Sequence, residues 1–185
     1  MFDGGNEFRN FDTKFLTFNS RGVENIAILN NLHYVRLHTA ESRATRVFVD
    51  DGDLNGRYVV RADRRANPEI EAEYALVYFS LSTSYLGDDV SVHIFGELTD
   101  WLVDENSEMD YNFERRTYSK TLLLKQGFYD YQFAVFERIS QTIDVTRFEG
   151  NQQLTKNNYT VYVYYRGNSD RHDRLIGTTT VRAHE

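Results

Sequence analysis

Cysteine is absent from the 185 residues, which removes disulfides, thiolate metal sites and cysteine nucleophiles together. The absence leaves the compartment open, because exported proteins also fold without disulfides. Proline occurs once, as Pro68, so the loops have to be built from Gly, Asn and Asp turns. Tryptophan also occurs once, as Trp101. No apolar run approaches the roughly 20 residues that a membrane-spanning helix needs, so direct membrane insertion is not expected. The opening Met1-Phe2-Asp3-Gly4-Gly5 carries no signal-peptide pattern. Basic runs are short too, none longer than Arg64-Arg65 or Arg115-Arg116. Residues 1–67 sum to +1 and residues 68–185 to −8, and an acidic second half argues against nucleic acid or anionic lipid as a partner.

What the chain does have is aromatic mass, with 13 tyrosines and 13 phenylalanines, which suits half-buried pleated surfaces better than helices. Period-two alternation and short β-branched or aromatic runs predict strands at 15–18, 25–29, 32–37, 46–49 and 57–61 in the first part. In the second part they predict strands at 74–81, 90–95, 118–124, 128–136, 159–166 and 174–181. Helix formers cluster over 69–76, but that stretch runs into Val77-Tyr78-Phe79 and is read as strand. Asn30-Asn31 and Asn55-Gly56 read as hairpin turns. So many short strands predict an all-β protein: an immunoglobulin-like β-sandwich over 68–185, preceded by a smaller β-meander over 1–67 packed against it. The boundary is expected near Asn67-Pro68.

Tyr159, Val161, Val163 and Tyr165 alternate with Tyr162 and Tyr164, so this strand is apolar on both faces. Something has to cover the extra tyrosines. Two readings stand, burial under residues 1–67 or an interface with a partner, where tyrosine is enriched.

Motifs for chemistry are scarce. His33, His38, His93, His172 and His184 share no metal-ligand spacing, and no GxSxG elbow or phosphate loop is present. Asp51-x-Asp53-x-Asn55-Gly56 matches the opening half of a calcium loop, but the twelfth position is Ala62 instead of a bidentate Glu. A turn with solvated aspartates is the plainer reading. Asp104, Glu105, Glu108 and Asp110 form an acidic loop after Trp101, with nothing in the spacing to make two of them a catalytic pair. No catalytic residue, resident metal or cofactor is expected.

Val92-His93-Ile94-Phe95-Gly96-Glu97-Leu98-Thr99-Asp100-Trp101, followed by Leu122-Leu123-Leu124-Lys125-Gln126-Gly127-Phe128-Tyr129-Asp130-Tyr131-Gln132-Phe133, resembles the early-set, glycogen-binding type of immunoglobulin domain. In such domains exposed tryptophans stack on sugar rings. Trp101 has no second tryptophan beside it and reads better as a packing anchor, which leaves a carbohydrate-binding module as the alternative function.

A wider resemblance adds Gly4-Gly5-Asn6-Glu7-Phe8-Arg9-Asn10-Phe11-Asp12, Phe148-Glu149-Gly150-Asn151, Asn157-Asn158-Tyr159-Thr160-Val161, Val163-Tyr164-Tyr165-Arg166 and Asp173-Arg174-Leu175-Ile176-Gly177. Together these runs resemble the C-terminal part of the Bacteroidota family of type IX secretion system plug proteins. Members of that family are longer at the N-terminus, which would place Met1 inside a longer chain. The resemblance implies a periplasmic, non-catalytic protein whose partner is the outer-membrane β-barrel translocon, capped on its periplasmic side while no cargo is engaged. It transfers no catalytic residues. Tyr162, Tyr164, Asp104 and Glu105 are the interface candidates.

Overall fold

Side chains that alternate between buried and exposed build two facing sheets in the computed structural model, which describes residues 3–63 and 66–182. In chain order the strands are β1 (Arg9–Asp12), β2 (Val23–Leu29), β3 (Leu32–Leu37), β4 (Ala40–Glu41), β5 (Tyr58–Val60), β6 (Tyr74–Ser82) and β7 (Val90–Phe95). They continue with β8 (Asp110–Asn112), β9 (Thr117–Lys125), β10 (Gly127–Glu137), β11 (Thr142–Asp144), β12 (Asn158–Tyr165) and β13 (Arg174–Arg182). Two one-turn helices, α1 (Pro68–Glu71) and α2 (Thr146–Glu149), join them.

One sheet is organised on β10, the longest strand. Its first half pairs antiparallel with β1 and β5, and its second half with β7 and β11. The other sheet runs β2-β3-β6-β9-β8, with β4 also on β6. Here β3 and β4 lie parallel to β6, while the other pairs are antiparallel. Every second residue points inward: Ala75, Val77, Phe79 and Leu81 from β6 meet Tyr129, Tyr131, Phe133 and Val135 from β10. Phe11 sits between the layers, stacked on Tyr129 at 5.2 Å and edge-on to Phe79 at 5.5 Å. The fold is an all-β sandwich of immunoglobulin-like type.

Several expectations need correction. Residues 15–18 are not a strand: Phe15 and Phe18 stack on each other at 4.4 Å across a bend. Residues 46–49 are not a strand either, and Val47 and Val49 are exposed because no neighbouring strand lies there to pair with. The 69–76 stretch divides into α1 and β6, with Pro68 at the first helical position, where its missing N–H costs nothing. The partition at Asn67-Pro68 does not separate two sheets, since β1, β3 and β5 pair directly with β10 and β6. Residues 1–67 are part of the sandwich, not a meander laid against it. Arg64-Arg65, Met1 and His184 lie outside the described residues.

Candidate functional site

The segments at the start and near the end of the sandwich are strapped together by a buried ion network. Glu149, at the end of α2, is fully buried, and its carboxylate accepts hydrogen bonds from Arg9 Nε (2.9 Å), from Arg43 Nε, and from the Phe133 backbone N–H (2.9 Å). Asn6 Nδ2 donates to the Glu149 carbonyl at 2.7 Å, Gly4 N–H to Asn151 Oδ1 at 2.7 Å, and Gln152 N–H to the Gly5 carbonyl at 2.7 Å. Gly150 closes α2 at φ +85, and a Cβ there would lie 2.8 Å from the Ala44 carbonyl. A side chain at that position meets both strain and collision. The network continues through Asn157 Nδ2 to the Gly4 carbonyl (2.7 Å) and Lys156 to Asp50 (2.6 Å), ending at the root of β12.

Beyond that root the chain changes character. β12 and β13 form a two-stranded sheet of their own, from Asn158↔Arg182 to Tyr165↔Arg174, and among the described residues they pair with no strand of the sandwich. The described part of residues 1–67 leaves the two tyrosines uncovered: Tyr162 is 57% exposed and Tyr164 61%, and Ile176 on the partner strand is 62% exposed. Val161, Val163, Tyr165, Leu175 and Val181 are each about half exposed. The even-numbered tyrosines share one face with Leu175, while Tyr159, Val161 and Val163 share the other with Val181. The register slips by one residue between Val163 and Tyr164, leaving Ile176 unpaired. At the tip Arg166 grips Asp173 with two nitrogens, at 2.8 and 2.9 Å, and Asp170 accepts the Gly167 N–H at 3.0 Å. These contacts order the turn without burying the apolar faces.

The other sequence-flagged residues are spread across the molecule. Asp104 accepts the backbone N–H groups of Asn106 (2.9 Å) and Ser107 (3.1 Å), which makes it a turn cap; the neighbouring Glu105 offers its carbonyl to Lys120 Nζ at 2.7 Å. Neither lies on the hairpin. Trp101 packs edge-on to Phe95 at 5.4 Å and to Phe8 at 6.0 Å and stands against Gly56. Asp51 pairs with Arg21, while Asp53 accepts the Asn55 N–H at 2.8 Å and the Phe8 N–H. Asn55 and Gly56 both hold positive φ, but they turn a loop instead of a hairpin. His93 is buried between Ser91 Oγ (2.8 Å) and Ser107 Oγ (3.0 Å), with both ring nitrogens engaged, and burial pushes its basicity down. Among the described residues no three His, Cys, Asp or Glu side chains are gathered as a metal would need.

Two features escaped sequence reasoning. Asp130 is fully buried in β10, holding the N–H groups of Leu54 and Gly56 on one oxygen while the other has no partner among the described residues. Burial, reinforced by Asp53, pushes its carboxyl up to about 6. Its alternation with Tyr129 and Tyr131 carried the only hint, a charged residue in a strand whose two faces are both covered. The Arg9–Glu149–Arg43 network was equally hidden, because 140 residues separate Arg9 from its partner.

No family model matches the chain, and no curated protein does. Among solved structures, a crystal structure at 2.30 Å of a hypothetical protein from Parabacteroides merdae ATCC 43184 superimposes with a TM-score of 0.90 at 41% identity. That similarity covers 97% of this chain and 45% of the other, so the chain spans less than half the length of the protein it matches.

Proposed function

We propose that this protein is a non-catalytic plug that caps the periplasmic side of the type IX secretion translocon while no cargo is engaged. One observation carries the reading. The motif runs behind the resemblance, 4–12 and 148–151, lie far apart in sequence and interlock in space around Glu149. That is how a body is stiffened, and a stopper has to fill space without yielding. The side chains best placed for chemistry are instead used to build structure: both ring nitrogens of His93 bond serines, and Asp104 caps a turn. The similarity to a Parabacteroides merdae protein fits a bacterial origin of the same kind.

The reading predicts that the protein copurifies with the outer-membrane barrel in detergent, and that deleting its gene lets ions leak across the outer membrane. An intact permeability barrier in the deletion strain would count decisively against it. The alternative, a glucan-binding module, rests on Trp101, which is 40% exposed, is held edge-on by Phe8 and Phe95, and has no second tryptophan to share a sugar ring. Tryptophan fluorescence that α-glucans leave unchanged would remove that alternative.

A further inference from the structure

A hairpin apolar on both faces is marginal in water by itself, because two strands bury too little surface to offset the entropy of ordering them. Here β12 and β13 are held at the root by the 149–157 strap and at the tip by Arg166–Asp173, and between those points the side chains meet solvent. The tyrosines cover about 150–250 Å² each when fully enclosed and stand beside five half-exposed aliphatics, so the ribbon offers area of the order of the roughly 800 Å² per side of a stable interface. Among the described residues no other strand pairs with its outer edges, which leaves room for adding strands. The charge differs as well. Residues 158–182 hold four arginines against two aspartates, while the chain as a whole is at −7.

The length of the Parabacteroides merdae protein bears on what could cover this surface. The match omits only 3% of this chain, far less than the 25 residues from Asn158 to Arg182, so that protein carries a corresponding ribbon on the same sandwich. It also carries more than half of its length outside the match. We propose that the β12–β13 ribbon is the seat of a second β body within one polypeptide: in a protein of that length, residues beyond the matched part add strands to the ribbon's edges and close over its apolar faces. Recognition is by main-chain pairing at the edges and by apolar pockets for Tyr162, Tyr164, Val161 and Val163. A net acidic surface on the added body would complement the ribbon's arginines. The inference stands independently of the capping role.

Amide hydrogen exchange tests it. Rates are measured over residues 158–182 in the 185-residue chain and over the aligned residues of the full-length Parabacteroides merdae protein. The expected result is slowing by about 100-fold or more in the longer protein, against fast exchange in the shorter chain. Replacing the residue aligned with Val163 by Asp in the longer protein should return the ribbon to fast exchange while the sandwich amides keep their protection. Fast exchange in both proteins would overturn the proposal. So would protection in the 185-residue chain that grows with concentration, because the occupant would then be a second copy.

Discussion

At the scale of single residues, stability is concentrated in two carboxylates of opposite circumstance. Glu149 is fully paired, and removing it strands Arg9 and Arg43, whose side chains are only 15% and 20% exposed. Breaking a buried pair from one side typically costs about 3–5 kcal/mol. Glu149→Ala is therefore expected to lower the unfolding free energy by about that amount in urea titrations, with Glu149→Gln recovering part of it through the Phe133 N–H bond. Asp130 is the reverse case, a carboxyl raised to about 6 by burial, above its ordinary value of 3.8. Between those values the folded state holds a proton that the unfolded chain has released, so this group's contribution falls as pH rises from about 4 to 6. Asp130→Asn removes that fall, on the order of 3 kcal/mol, so the stability difference between parent and variant should change by about that amount across the same window.

At the scale of elements, legibility followed alternation. β3 and β7 begin and end where the sequence pattern places them, and β6, β9 and β10 differ by a residue or two, since each packs at least one face on the core. β1 gave no signal because only Phe11 is buried in it, and β8 and β11 are three residues each, too short for a period to show. The false strands at 15–18 and 46–49 are apolar runs with no sheet edge to join. The hairpin turn Asn30-Asn31 was legible because φ values of +50 and +62 admit few residues other than Asn and Gly. Asn31→Val is accordingly expected to cost about 1–3 kcal/mol in thermal unfolding, through backbone strain alone. The site was only half legible: the β12 pattern marked Tyr162 and Tyr164 as needing cover, but single-strand periodicity says nothing about which body supplies it. Since, among the described residues, β12 and β13 pair only with each other, a chain ending at Asn157 should keep the sandwich's unfolding free energy to within about 1 kcal/mol. A larger loss would mean that the ribbon supports the core.

At the scale of the whole molecule, the sheet connectivity decides whether the two expected parts are separable. β3 and β4 supply the parallel neighbours of β6, and β1 and β5 flank the first half of β10, so both sheets draw strands from each side of Pro68. Phe11, Leu16, Val23, Val35 and Leu37 all come from the first 67 residues and all are buried in the common core. At about 1.5–3 kcal/mol for each buried side chain, their loss removes roughly 10 kcal/mol, as much as the entire net stability of a typical domain. Residues 68–185 expressed alone are therefore expected to show no cooperative calorimetric transition, while the 185-residue chain unfolds its sandwich in one. A sharp transition in the isolated fragment would restore the boundary at Asn67-Pro68 and make the pairing of β1 and β5 with β10, and of β3 with β6, an accessory to a core that stands without them.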